Sequence, residues 1–295
     1  MPELPEVETV RVGLSSLLPK KHIAGVSFDW PKSFPNAPAD VEQFMIGSQV
    51  QSVTRRAKVL QIHLSSGYSL IIHLKMTGQL VYVSRSARGD ERFGAGHPNQ
   101  SLIGALPDRS TRVTIDFTDG SQLYFNDQRK FGWMKLLPSA HIESLDFFKK
   151  LGPEPLDPAT KTEDFITQVR RRPRSTIKAG LLDQSVIAGV GNIYADESLW
   201  GASIHPATTI NQLADKQLAV LFKQLQLILQ AAIAAGGSTD KTYVDAEGKP
   251  GSYLKIARVF RREGQACPRC QASIEKMRVA GRGTHVCLQC QGAPR

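Results

Sequence analysis

The chain has 295 residues, enough for two domains with separate cores, and its 41% hydrophobic and 7% aromatic content is that of an ordinary soluble globular protein. It contains no run of eighteen or more apolar residues and its N-terminus lacks the apolar core of a signal peptide, so neither a membrane span nor a secretory leader is expected. The net charge of +10 points toward a polyanionic partner, and the expected location is the cytoplasm, in association with the nucleoid.

Taken in chain order, the first element is an amphipathic helix over residues 3–18, because Val7, Val10, Leu14, Leu17 and Leu18 recur at helical spacing behind Pro2 and Pro5. Proline suits a helix start, and Glu3 and Glu6 suit the positive end of its dipole. If Met1 is trimmed, Pro2 exposes a secondary amine with an ordinary pKa of about 8. The helix N-terminus disfavours its protonated form and enlarges the nucleophilic fraction at pH 7. Such an amine attacking a sugar C1′ gives an iminium directly, with Glu3 and Glu6 as acid/base partners. A helix that merely begins with proline explains the same residues. With Met1 attached, the chemistry is impossible.

From His22 to Leu137 short β-rich runs follow, among them 59–64, 69–74, 79–83, 112–117 and 122–125, with Gly67 and Asp119-Gly120 at tight turns. They predict an antiparallel sandwich or barrel with the helix packed on it. Residues 85–110, rich in Arg, Gly, Asp and Pro, are expected to form a loop between strands. Three prolines within 152–158 mark a linker. Beyond it the helical period returns at 162–172, 175–183, 192–200 and 211–235, and Gly236-Gly237 ends the last helix. A Gly/Asp-rich loop at 238–253 leads to the C-terminal segment.

All four cysteines lie there, as Cys267-x2-Cys270 and Cys287-x2-Cys290. A disulfide pair or a redox CxxC is the alternative, but two CxxC turns joined by a hairpin-length spacer favour one closed, structural Zn2+ site. Basic residues crowd the same region (Lys255, Arg258, Arg261, Arg262, Arg269, Lys276, Arg278, Arg282), and Arg170, Arg171, Arg172 and Arg174 form a second cluster.

Pro-Glu-Leu-Pro-Glu-Val-Glu-Thr at 2–9, Gly-Val-Gly-Asn-Ile-Tyr-Ala-Asp-Glu at 189–197 and the cysteine pattern together resemble the formamidopyrimidine-DNA glycosylases, the Fpg/Nei family of bacterial base-excision enzymes. The motifs His73-Leu-Lys-Met76-Thr-Gly78, Asp127-Gln-Arg129-Lys-Phe131-Gly132, 177–184 and Gly248-Lys-Pro-Gly251 fit the same pattern in order along the chain. The resemblance implies an α+β fold: an N-terminal helix with a two-layer antiparallel β-sandwich, then a helical helix-two-turn-helix domain with a C-terminal β-hairpin zinc ribbon. The expected divisions are 1–151, a hinge at 152–160, 161–253 with a lesion-capping loop, and 254–295.

It also implies roles. The activity would be that of a bifunctional glycosylase and AP lyase acting on double-stranded DNA that contains oxidised purines (8-oxoguanine, formamidopyrimidines), as a monomer without a membrane partner. Pro2 matches the nucleophile, Glu3 the acid that assists sugar-ring opening, Lys58 the residue of β-elimination and phosphate contact, and Arg282 that of δ-elimination. Met76, Arg129 and Phe131 match the trio that fills the hole left by an everted nucleotide. Asn192, at a helix N-terminus, with Arg174, Lys178 and His73, completes the expected DNA contacts. The 238–253 loop and the Pro-Glu-Leu opening favour the purine-specific branch over the pyrimidine-specific endonuclease VIII branch. Three features depart from the family: Asp108-Arg109-Ser110-Thr111-Arg112 lacks the histidine usual just before the strand that starts near Arg112, the usual Tyr-Gly-Arg reads Phe260-Arg261-Arg262, and 85–107 is long.

Overall fold

The first helix begins where the prolines allow it. In the computed structural model, which describes residues 2–86, 89–97, 100–238 and 252–293, α1 spans Leu4–Leu17 with Pro5 in its first turn, where a missing N–H leaves no bond unmade. Its apolar stripe (Val7, Val10, Leu14) is buried, each large side chain contributing about 1.5–3 kcal/mol.

After α1 come β1 (Ile23–Phe28), α2 (Pro38–Phe44), β2 (Val50–Arg56), β3 (Val59–Leu64), β4 (Tyr68–His73), β5 (Gly78–Ser86), β6 (Gly89–Gly96), β7 (Thr111–Phe117), β8 (Gln122–Asp127) and β9 (Trp133–Pro138). They form two sheets, β1-β7-β8-β5-β6 and β2-β3-β4-β9, with every pairing antiparallel. The α1 stripe joins Leu60 and Ile72 of the second sheet and Leu80, Val113 and Phe125 of the first in one core. The Glu8 carboxylate, held below its usual range against burial by Arg11 and Arg55, fixes α1 to β2 through Arg55 at 2.9 Å.

The loop expected at 85–110 is partly strand. β6 pairs with β5 from Gln79↔Gly96 to Ser86↔Gly89, and Arg92 donates to the Ser101 carbonyl at 2.9 Å. As an edge strand, β6 has one partner and buries only Phe93 and Ala95 among its large or apolar side chains. That is too sparse an alternation to stand out among Arg, Gly and Asp.

The chain folds as two units, Met1–Phe148 with Ala235–Ser252, and Lys149–Ala234 with Tyr253–Arg295. The expected loop at 238–253 lies, except for Ser238, Ser252 and Tyr253, outside the described residues, as does Gly248-Lys-Pro-Gly251. The short helix α3 (Asp146–Lys149) straddles the division. The second unit contains α4 (Thr162–Arg170), α5 (Ile177–Leu182), α6 (Asn192–Gly201), α7 (Asp215–Ala234), α8 (Tyr253–Ile256), the hairpin of β10 (Glu275–Val279) and β11 (Arg282–Val286), and α9 (Leu288–Gln291). The proline-rich segment has no helix or strand and is packed into this unit: the Gly152 N–H donates to the Gln184 carbonyl and the Ala188 N–H to the Pro153 carbonyl. By length and composition α7 could cross a membrane. Its Leu218, Leu221, Phe222, Leu225, Ile228 and Leu229 are instead buried at helical spacing, and the Phe165 ring of α4 stacks on Phe222 at 5.1 Å.

α6 is the hub of the second unit. Glu197 has no exposed surface, and its carboxylate accepts the N–H groups of Arg258, Val259 and Phe260 at 2.8–3.1 Å, holding the approach to the ribbon. Glu197→Ala would leave three N–H groups without their acceptor, that of Val259 fully buried, at about 1–3 kcal/mol for a buried one. Chemical unfolding of the zinc-loaded protein should therefore show this unit weakened by about 3 kcal/mol or more; a loss below about 1 kcal/mol would refute the clamp.

Candidate functional site

Pro2 and Glu3 are buried at the N-terminus of α1. The Glu3 N–H donates to one Glu6 oxygen at 2.8 Å, and the other Glu6 oxygen accepts the Ser238 N–H and hydroxyl at 2.8 and 2.9 Å. Glu6 thus joins the candidate nucleophile's turn to the residue at the head of the 239–251 segment. Gly237, at φ +85°, makes room for it, since a Cβ there would stand 3.2 Å from the Glu6 side chain. Sequence reasoning placed Glu6 beside the chemistry but gave Ser238 no part.

Lys58 is the second residue of the two-residue turn between β2 and β3, behind Ala57 at φ 52°, and is buried. Its charge is felt by His73. Burial, with the Lys75 and Lys58 ammonium groups, pushes the His73 pKa down to about 3, and Nδ1 accepts the Lys75 N–H at 3.0 Å. A neutral ring can offer a phosphate an Nε2–H but no charge. Because the folded pKa lies below the unfolded value of about 6.5, His73 favours the fold above that pH and its contribution is lost as the pH falls toward 3.

The trio Met76, Arg129 and Phe131 sits on two exposed turns of the first unit, Met76 at 38% and Phe131 at 54% exposure. The Arg129 guanidinium lies 4.8 Å from the Phe131 ring centroid. Both turns hang on Asp127, which is wholly buried. Its carboxylate accepts the Thr77 hydroxyl, the Arg129 N–H at 3.2 Å and the Gly132 N–H at 2.6 Å. The Thr77 hydroxyl in turn accepts the Arg129 N–H at 3.0 Å. Lys75 and Lys130, each next to a member of the trio, hold left-handed φ values of 49° and 57°. Asp127 was visible in the motif, but nothing in a turn-forming aspartate announces that it is buried.

In the second unit Arg174 is exposed, whereas Arg170 of the same cluster is tied to Asp215 and to the carbonyls of Ile210 and Leu213. Lys178 is not placed as a surface cation. It is fully buried, and its ammonium donates to Asp196 at 2.6 Å, the Thr284 hydroxyl at 2.7 Å and the Gly283 carbonyl at 3.3 Å. The other Asp196 oxygen accepts the His285 N–H at 2.9 Å. Lys178 therefore fixes β11 to α6. Asn192, the first residue of α6, donates its side-chain amide to the same Gly283 carbonyl at 3.0 Å. This brings Asn192 within one residue of Arg282, which is exposed at the hairpin tip behind Ala280 and Gly281, both left-handed at φ 50° and 72° as a two-residue hairpin turn requires.

The sulfur atoms of Cys267, Cys270, Cys287 and Cys290 all lie within 4.8 Å of one another, with Cys267–Cys290 at 3.8 Å and Cys270–Cys287 at 3.4 Å. Four thiolates around tetrahedral zinc stand about 3.8 Å apart, so the cluster fits one zinc ion. Burial and the neighbouring sulfurs push Cys290 up to about 12, the repulsion a dication would remove. Against burial, N–H donors from Arg269, Cys270 and Trp200 hold Cys267 down at about 6.

Two measurements check this geometry. The His73 ring resonances should stay flat from pH 8 to 5 in a histidine NMR titration; a midpoint near 6.5 would show a charged, accessible ring. Asp127→Asn replaces an acceptor with a donor facing N–H groups; if the trio has the hole-filling role that the resemblance implies, lesion-dependent fluorescence of a base analogue opposite the target should fall about tenfold or more, equivalent to about 1.4 kcal/mol. Wild-type eversion in that variant would remove Asp127 from the site.

Comparison with known proteins gives a consistent answer. A family model described as the formamidopyrimidine-DNA glycosylase N-terminal domain matches residues 1–134, and that family's H2TH domain matches 151–244. A zinc finger found in FPG and IleRS matches 264–292. Formamidopyrimidine-DNA glycosylases of Chloroflexus aggregans and Pelotomaculum thermopropionicum are 41% and 39% identical, covering 99% of this chain and 98% and 99% of theirs. The Lactococcus lactis Fpg, solved in complex with DNA containing an abasic site, superposes with a TM-score of 0.85 at 33% identity over 99% of this chain and 100% of that one. A point mutant of that protein has been solved with DNA containing Fapy-dG, and its wild type with DNA containing an oxidized pyrimidine. With the sandwich, the H2TH unit and the four-cysteine zinc site in the same order and over the same length, the chain belongs to the formamidopyrimidine-DNA glycosylase family.

Proposed function

We infer that this protein is a bifunctional DNA glycosylase and AP lyase of base excision repair that removes oxidised purines, 8-oxoguanine and formamidopyrimidines, from double-stranded DNA. The observation that carries the reading is the buried start of α1, where Pro2 precedes Glu3 and Glu6 in a fold shared with a protein solved on abasic DNA.

Once Met1 is removed, the Pro2 nitrogen attacks C1′ of the lesion nucleotide. The glycosidic bond breaks and the base departs with that electron pair and a proton. Glu3 protonates the ring oxygen as the sugar opens, leaving an iminium between Pro2 and C1′. Loss of a C2′ proton then expels the 3′-phosphate, and a second elimination expels the 5′-phosphate. Lys58 serves the first elimination and phosphate contact, Arg282 the second. Met76 and Phe131 fill the vacated stack while the Arg129 guanidinium bonds the orphaned base. Arg174, the N–H groups at Asn192 and the neutral His73 imidazole take phosphates, with Lys178 acting from inside through β11. The protein works as a monomer in the bacterial cytoplasm, where reducing conditions keep its cysteines available for zinc.

Sodium borohydride added during incubation with an 8-oxoguanine:cytosine duplex should trap an adduct that maps to Pro2, and Pro2→Gly should trap less. An oxidised-pyrimidine duplex should trap more slowly. Base release at the normal rate by protein that retains Met1 would exclude Pro2 as the nucleophile, and faster trapping on the pyrimidine duplex would reverse the assigned specificity.

A further inference from the structure

Trp200 lies near the C-terminal end of α6, only 6% exposed, in a cluster with Val259, Cys267, Ile274 and Cys287. Its indole Nε1–H points at the Cys267 sulfur, 3.4 Å away. The ring is held on several sides. The Arg269 guanidinium lies 4.1 Å from its centroid and that of Arg258 5.5 Å away. Arg269 is itself fixed by donating to the Ser203 hydroxyl at 2.7 Å and the Gly201 carbonyl at 3.4 Å. A buried indole N–H needs an acceptor, and here the acceptor is a metal ligand.

We propose that Trp200 is a positioning residue of the zinc site, its indole N–H fixing the Cys267 sulfur and drawing charge from it so that the ion is retained. The inference rests on the four-cysteine zinc site and is independent of the glycosylase reading. Its physical basis is that a donor to a ligating sulfur orients the lone pairs that face the metal and withdraws density from the most electron-rich atom of the site. α6 is thereby attached to this region four times: by Asn192 and Asp196 to β11, by Glu197 to residues 258–260, and by Trp200 to a metal ligand. Loss of an outer-shell partner of this kind weakens metal binding by about tenfold to hundredfold.

The test uses the full-length zinc protein in three forms: wild type, Trp200→Phe, and protein with benzothienylalanine incorporated at position 200, which keeps the shape of the indole and replaces only its N–H by sulfur. Competition with a chromophoric chelator should show zinc held about tenfold less tightly or worse in both altered forms. In the cobalt-substituted proteins the sulfur-to-cobalt charge-transfer band should move to lower energy in both, because the sulfur has lost a hydrogen bond. If Trp200→Phe fails to fold, the benzothienylalanine protein decides alone. Wild-type affinity and an unmoved band in the benzothienylalanine protein would overturn the proposal and leave Trp200 a packing residue.

Discussion

The second unit depends on two adjacent carboxylates that never see water. Asp196 and Glu197 follow each other on α6, so their side chains leave the helix about 100° apart and serve different neighbours. Burying a carboxylate without compensation would be prohibitive. Asp196 is compensated by the Lys178 ammonium and the His285 N–H, and Glu197 by a row of three backbone N–H groups. Each solution works in one arrangement only, because a hairpin displaced by a residue would leave a charge unpaired inside. The ribbon is thus registered on α6 by electrostatics, with zinc closing its far end.

The first unit uses the same device at its own loops. Asp127 gathers the two turns that present Met76, Arg129 and Phe131, and Glu6 gathers the Pro2–Glu3 turn and Ser238. In three of the four, Glu197, Asp127 and Glu6, an acidic side chain replaces secondary structure as the acceptor for N–H groups of turns and loops, whereas Asp196 takes a strand N–H and an ammonium. The exposed side chains of Met76, Arg129 and Phe131 are thus carried on turns whose geometry is set by a buried carboxylate.

Much of this was legible beforehand. The 3.6-residue period of Val7, Val10 and Leu14, the strand at 59–64, the glycine turns and the cysteine spacing each encode a local preference, and local preference is what a sequence displays. Strand β6 and the fates of Lys178 and Asp127 are tertiary facts. A lysine in a basic protein looks like surface until Asp196, eighteen positions away, is known to face it, and an edge strand with two inward side chains carries almost no periodic signal. Trp200 was silent for the same reason, since its acceptor lies 67 residues further along the chain.

The turns that aim the candidate residues share a less comfortable property. Ala57 before Lys58, Lys75 before Met76, Lys130 between Arg129 and Phe131, and Ala280 two positions before Arg282 all hold L residues in left-handed backbone, at about 1 kcal/mol or more each. Glycine would relieve the clash and also release the chain to many other angles. Keeping a side chain there narrows the directions in which the neighbouring residue can point. Local stability is surrendered for pointing accuracy, so a more relaxed version of this protein would be expected to fold well and aim poorly.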